Sequence, residues 1–156
     1  MQINRTLLDD AWEPPRGIAG FVETPFYFGT VQAGVEILSY GRRNQQVPDF
    51  HVQFFFLDWR AQVRLPWKLR WSNGFRFGLY QFLFDDKDVS VYQRVERELC
   101  ACLVTGIQHD FSPKWTVRMT ASYGTVYLSE PLRQAFVSVS FSRSFVTPEW
   151  LRDLLK

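Results

Sequence analysis

His51 has the best position of any side chain in this sequence for acid–base chemistry. It follows the polar stretch 41–48 and lies two residues after Asp49. A histidine in such a place can act as a general base, because its imidazole titrates near neutral pH. No serine has a motif-like spacing to His51, so His51 remains an isolated catalytic candidate.

A pair of carboxylates, Glu96 and Glu98, shares one face of a strand-like run with Arg94. Two close carboxylates could form an acid–base pair, because each negative charge raises the pKa of the other. The alternative, which we favour, is a network of opposite charges inside a narrow barrel. Its predicted members are Glu36, Arg70, Arg76, Glu96, Glu98 and Arg118.

Cys100 and Cys102 are two residues apart in the same run, so they share a strand face. Their Cβ atoms point in parallel, which suits a disulfide poorly, and two thiols are too few for a metal site. We interpret them as small, half-buried residues.

The sequence has no phosphate-binding glycine loop, no zinc-ligand spacing and no nucleophile elbow, so it predicts no metal, no cofactor and no recognisable enzyme class.

Length and composition restrict the classes of protein to which the chain could belong. A chain of 156 residues fits one domain, and its net charge of +2 gives no basic footprint for nucleic acid. No run of about 18 apolar residues predicts a membrane-spanning helix, although a spanning strand needs only about 9–11 alternating residues. Aromatic residues form 17% of the chain, which makes their positions informative.

Strict alternation of apolar and polar residues is the dominant pattern. It predicts an all-β protein, an antiparallel up-and-down β-barrel of about 7–8 strands over residues 16–146. The seven runs are 17–24, 30–40, 50–64, 68–84, 89–110, 115–127 and 134–145. In the third run the apolar parity changes near Asp58, which predicts a β-bulge. An eighth strand could come from residues 2–8 or from a division of the fifth run.

The two ends of the chain differ from this pattern. Residues 1–15 are punctuated by acidic residues and prolines, which predicts an irregular segment. Thr147 can cap a helix and Pro148 suits its first turn, so residues 147–156 are predicted to form a short amphipathic helix. Residues 1–12 lack the apolar core of a secretory signal peptide. The chain is then a mature form, a piece of a longer protein, or not a membrane protein.

Aromatic side chains gather beside three short turns, near residues 25–29, 65–68 and 111–114. If the strands run up and down, these turns lie at one end and their rings share one level. Such a ring suits the headgroup layer of a membrane. Its predicted interface members are Tyr27, Trp67, Trp71, Phe111 and Trp115. The connections at the other end are longer and more polar, which agrees with an outer-membrane arrangement.

The last hairpin resembles that of outer-membrane β-barrel proteins. Tyr123–Tyr127 is followed, after a loop, by the alternating segment Val137–Phe145, which resembles the closing-strand signal of such barrels. The resemblance covers about residues 16–146 and is one of pattern. It departs from the family in the residues that follow Phe145, and seven strands is an odd number where such bacterial barrels have even numbers.

This resemblance implies a bacterial outer-membrane location, with membrane lipid and other envelope proteins as partners. The expected role is envelope structure, export or passage of small solutes, in a complete barrel or the C-terminal part of a larger one. Two alternatives stay open. One is a soluble lipocalin-like barrel that binds an apolar ligand. The other is a lipid-modifying barrel enzyme in which His51 acts as the base.

Overall fold

The computed structural model describes residues 13–43, 49–84, 95–128 and 131–145. These residues form seven strands and the turns between some of them. The strands are β1 (Arg16–Phe26), β2 (Gly29–Tyr40), β3 (Phe50–Arg64), β4 (Leu69–Phe84), β5 (Val95–Asp110), β6 (Trp115–Val126) and β7 (Leu132–Arg143).

All seven strands belong to one sheet in which each strand pairs with its neighbour in sequence, and every pairing is antiparallel. The sheet curls into a half-barrel with an inner and an outer face. The predicted all-β, up-and-down architecture is therefore confirmed at this level. The predicted helix at residues 147–156 lies outside the described residues.

The predicted bulge at Asp58 is wrong. β3 pairs with β2 from Phe50 to Ala61 and with β4 from Phe50 to Arg64 without an interruption of register. Phe56, Asp58 and Arg60 all point inward and are buried. The apparent change of parity arises because the inner face itself changes from apolar to polar along the strand.

The long fifth run is not divided between residues 95 and 110, where β5 is one continuous strand. This removes one of the two expected sources of an eighth strand within the described residues. None of the described residues forms a helix that is long and apolar enough to cross a membrane.

Three short turns, β1–β2, β3–β4 and β5–β6, lie at one end of the half-barrel, which we call the turn end; the opposite end is the loop end. Trp67 and Lys68 both have φ of 59°, and Tyr27 has φ of 50°. Two successive residues with positive φ define the type I′ turn, whose twist matches that of a β-hairpin. Bulky residues occupy these positions at a cost, because their Cβ atoms crowd the backbone.

The inner face has two chemically different halves. Toward the loop end it is an apolar cluster that contains four phenylalanines, two tyrosines and both cysteines: Leu38, Tyr40, Phe50, Val52, Phe54, Phe56, Tyr80, Phe82, Cys100, Cys102 and Val126. Glycine on a neighbouring strand makes room for these rings: a Cβ at Gly34 would lie 2.6 Å from Cζ of Phe56. Toward the turn end the buried residues are polar and charged.

Candidate functional site

Asp58 is the centre of the buried polar half of the inner face. Its Oδ2 lies 2.6 Å from Nη2 of Arg60 and 3.0 Å from Nη2 of Arg76. Only 1% of Asp58 and 2% of Arg60 is exposed, so both charges are removed from water. One carboxylate thus balances two guanidinium groups, and Arg76 has a second partner in Glu36 at 3.7 Å.

Arg60 also links strands on opposite sides of the interior. It donates to Oε1 of Gln32 at 2.9 Å and to Oγ1 of Thr120 on β6 at 3.4 Å. Arg118, also on β6, forms an ion pair at 2.8 Å with Glu23 on β1. These side chains bridge the interior from wall to wall, and Arg60, Arg76 and Arg118 line a cleft of about 570 Å³ that reaches β1 and β7.

A more exposed ion pair lies closer to the turn end. Nη2 of Arg70 is 2.6 Å from Oδ1 of Asp110, and their side chains are 31% and 37% exposed. Thr116 donates to the same Asp110 oxygen at 2.6 Å. The ion pairs of the described inner face join four arginines (Arg60, Arg70, Arg76, Arg118) to four carboxylates (Glu23, Glu36, Asp58, Asp110).

The predicted charge network is therefore assembled only in part. Glu36, Arg70, Arg76 and Arg118 lie on the inner face, and each has an ion pair. Glu96 and Glu98 have inward parity but lie near the loop end, opposite Phe82 and Tyr80, and neither forms an ion pair with a described residue. Sequence reasoning missed four members, Glu23, Asp58, Arg60 and Asp110, and their parity was the signal that could have found them.

Hydrogen bonds and stacked rings close the apolar half of the inner face. The rings of Tyr40 and Phe50 stack with centroids 4.5 Å apart, and those of Phe54 and Tyr80 are 4.3 Å apart. Gln134 on β7 donates to the hydroxyl of Tyr80 at 2.7 Å. This hydrogen bond joins β7 to β4 across the interior.

Cys100 and Cys102 are buried in this apolar half as free thiols whose Sγ atoms lie 3.3 Å apart. Within the described chain no group of histidines, cysteines and carboxylates could hold a metal ion.

The outer face carries large apolar side chains that remain exposed. Leu99 is 66% exposed and Val139 is 62% exposed, while Val31, Leu69 and Val117 share this outward parity. Other outward and exposed residues of the strands are Ile18, Val22, Phe55, Leu57, Phe75, Phe77, Leu103, Ile107, Met119, Tyr123, Val137 and Phe141. In the polar half of the sheet the usual arrangement of a water-soluble protein is reversed, because charged side chains are buried inside and apolar side chains are exposed outside.

The predicted interface aromatics do gather at the turn end. Tyr27 is 88% exposed and Trp67 is 84% exposed, and Trp71, Phe111 and Trp115 are 42–56% exposed. At the loop end the outer face carries three exposed arginines, Arg16, Arg97 and Arg133, beside apolar side chains such as Val95. An apolar band thus lies between a circle of aromatic side chains at the turn end and a rim of arginines at the loop end.

His51 lies on the outer face at the loop end, directly opposite Ser39 on β2. Oγ of Ser39 is 2.9 Å from Nδ1 of His51, which is within hydrogen-bonding distance. A serine next to a histidine is the core of many acyl-transfer sites. The spacing of serines along the chain does not reveal this contact, because it depends on pairing between β2 and β3 and not on proximity in sequence.

No protein-family model, no curated protein and no solved structure matches this chain.

Proposed function

We propose that this chain is an outer-membrane β-barrel, or a segment of one, and that its role is structural and not that of an open pore. The observation that carries the proposal is the exposed apolar outer face around buried ion pairs. A soluble lipocalin-like barrel would need the opposite distribution, with polar side chains outside and a space for an apolar ligand inside.

The dimensions of the apolar band support this proposal. On β5 it extends from Leu99 to Ile107, which is about 26 Å along the strand at about 3.3 Å per residue. With the strand tilt of about 35–45° that is usual in membrane barrels, this corresponds to about 20 Å along the barrel axis. The hydrocarbon-facing band of such barrels is about 25 Å tall.

The two rims of the band support an orientation in the membrane. Tyr27 and Trp67 occupy positive-φ turn positions at which glycine or asparagine would cost less. Amphipathic rings are favoured at the headgroup layer, which would compensate for this cost. The basic rim of Arg16, Arg97 and Arg133 suits the phosphates of anionic lipid in the opposite leaflet.

The side chains that cross the interior support a structural role over passage of solutes. A barrel of about eight strands is only wide enough for its own side chains. Here Arg60, Arg118 and Gln134 connect opposite walls. We therefore expect no solute-conducting path through a single copy.

A charge on the outer face tests the proposal directly. Leu103 lies at the middle of β5 and is 57% exposed, and Val95 lies on the same face of the same strand at the loop end and is 45% exposed. In a membrane barrel, Leu103→Arg should lower the free energy of unfolding in lipid vesicles by about 2–4 kcal/mol, and Val95→Arg by about 0–1 kcal/mol.

In a water-soluble barrel the two substitutions should change the free energy of unfolding by similar, small amounts. An exposed leucine replaced by arginine then changes stability by less than about 0.5 kcal/mol. Equal, small effects of both variants, or a folded protein that needs no detergent, would reject the membrane proposal.

The contact between Ser39 and His51 favours a second candidate function, hydrolysis of lipid esters at the outer edge of the membrane. Oγ of Ser39 would attack the ester carbonyl while His51 takes the hydroxyl proton and returns it to the departing alcohol. Water would then release the acyl group from the serine. The described residues provide no evident donor for the oxyanion, because β2 and β3 are paired on both sides, so this candidate stands second.

Release of fatty acid from phospholipid vesicles tests this second candidate. The activity should disappear in Ser39→Ala and in His51→Ala. It should persist in Gln53→Ala, a control on the same face of β3. Absence of activity in the unmodified protein, or activity that survives either substitution, would exclude an esterase role for this pair.

A further inference from the structure

The cleft of about 570 Å³ leads from the charged interior of the half-barrel to its apolar outer face. Arg60, Arg76 and Arg118 belong to its inner wall. Its other end lies between Ile18 on β1 and Val139 on β7, two residues that point outward. The volume is within the range of about 300–1,000 Å³ that is usual for small-molecule sites.

The guanidinium groups on the cleft wall have donors that the described residues do not fully satisfy. Arg118 is 4% exposed, and its Nη1 is buried without a hydrogen-bond partner among the described residues. Nη1 of Arg76 lies 3.7 Å from Oε2 of Glu36, which is too far for a hydrogen bond. Nη1 of Arg60 donates only to Thr120, at 3.4 Å. Because a buried donor without an acceptor is costly, an acceptor in the cleft would stabilise this arrangement.

Charge restricts what that acceptor can be. The cleft is lined by three arginines but by only one carboxylate, Glu36. Asp58 and Glu23, which complete the ion pairs of these arginines, do not line it. The wall that a ligand meets is thus positive, which favours an anion. Since the three guanidinium groups already have three carboxylate partners, a ligand with a single negative charge leaves the smallest buried imbalance.

The rest of the cleft wall is largely apolar. Cζ of Arg76 lies 3.9 Å from the ring centroid of Phe56, and Phe136 lines the cleft on the β7 side. Ile18 and Val139 follow at the outer face. A ligand with a charged end and a hydrocarbon end matches this order of surfaces.

We propose that the cleft is a binding site for a long-chain fatty acid. Its carboxylate accepts hydrogen bonds from Nη1 of Arg60, Arg76 and Arg118, and its acyl chain passes between Ile18 and Val139 to the outer face. The inference rests on the proposed membrane function, because the outer part of the acyl chain needs lipid around it. Entry from the side agrees with an interior that side chains cross, because the ligand needs no path along the barrel axis.

Native mass spectrometry of the full-length protein, released from dodecyl maltoside micelles after equilibration with palmitate, tests the inference. The unmodified protein should carry one palmitate per chain. Hexadecanol has the chain without the charge, and acetate has the charge without the chain, so neither should displace palmitate when present in excess. Absence of the palmitate adduct, or its displacement by either competitor, would overturn the inference.

A paired charge variant locates the carboxylate end. Arg118→Gln with Glu23→Gln removes a guanidinium group together with its partner charge. It should weaken the binding of palmitate by at least about tenfold, which is the usual contribution of a hydrogen bond between charged groups. The matched control, Arg70→Gln with Asp110→Asn, removes an ion pair that does not line the cleft, and it should change the affinity by less than about twofold.

A bulky substitution on β1 locates the ligand without a change of charge. Ala19 lines the cleft, so Ala19→Trp should fill it and abolish the binding of palmitate. Gly20→Trp is the control, because Gly20 points to the other face, where an added Cβ meets no atom within 4 Å. Binding that survives Ala19→Trp, or that Gly20→Trp weakens as strongly, would overturn the inference even if the paired charge variant does not fold.

The fatty-acid site and the membrane role fail separately. A protein that partitions into membranes but binds no palmitate keeps the proposed function and loses the site. A protein that folds in water without detergent and still binds palmitate keeps the site and loses the membrane role.

Discussion

The buried carboxylate of Asp58 gives the sharpest prediction of stability. Asp58→Asn keeps the size of the side chain and removes the charge that faces Arg60 and Arg76. Arg76 retains Glu36 at 3.7 Å. Arg60 retains only the neutral acceptors of Gln32 and Thr120, so the substitution leaves one buried positive charge without a partner.

The expected loss of stability in Asp58→Asn follows from the burial of the ion pair. Asp58 and Arg60 are 1% and 2% exposed, and removal of one partner from a buried ion pair costs about 3–5 kcal/mol. Arg60→Met should cost less, about 1–3 kcal/mol, because Asp58 still has Arg76 at 3.0 Å. The double variant, Asp58→Asn with Arg60→Met, should lose less stability than the sum of the two single losses. Arg60→Met removes the positive charge that Asp58→Asn leaves unpaired.

Asp110→Asn is the matched control for Asp58→Asn. It makes the same chemical change to an ion pair with Arg70 whose side chains are 31% and 37% exposed, so its electrostatic cost should be below about 1 kcal/mol. Unfolding by guanidinium chloride in detergent micelles, followed by tryptophan fluorescence, measures each difference. If Asp58→Asn costs no more than Asp110→Asn, or no more than Arg60→Met, the assignment of Asp58 as the shared counter-charge is wrong.

Further predictions concern the turn, the packing and the interior. Lys68→Gly should raise the free energy of unfolding by about 1 kcal/mol, because glycine adopts positive φ without the Cβ clash; a lower free energy of unfolding would contradict this. Gly78→Val should destabilise the barrel by about 1–3 kcal/mol through overpacking against Phe54, as measured by the same titration, whereas Ala121→Val on the outer face should have little effect. The purified protein in planar bilayers should show no steady single-channel conductance, because side chains cross the interior; discrete, reproducible channels would contradict the structural role.

Much of the architecture could be predicted because alternation and short turns are local signals. The alternation of Thr30–Ile37 fixes two faces of β2, and the turn residues 65–68 separate β3 from β4. Both signals are visible in one stretch of chain, and both agree with the structure. The direction of each face could not be derived in this way, because an apolar face can meet either a core or lipid.

The candidate sites depend on contacts between strands, which is why the sequence revealed them only in part. Asp58 and Arg60 continue the inward parity of Phe56, yet the change from apolar to charged residues looked like a change of phase. Ser39 and His51 are 12 residues apart and meet only through the β2–β3 register. Pairing register, and not composition, creates both sites.

The outer face is the feature on which the membrane proposal depends energetically. A large apolar side chain that stays in water lacks about 1.5–3 kcal/mol of stabilising burial free energy. About ten such side chains together lack about 15–30 kcal/mol. A typical domain has a net stability of only about 5–15 kcal/mol. Leu99, Phe77 and Phe141 are each more than half exposed and belong to one continuous surface. Under the membrane proposal, lipid covers this surface without further protein, and the free energy that these side chains would lose in water is recovered.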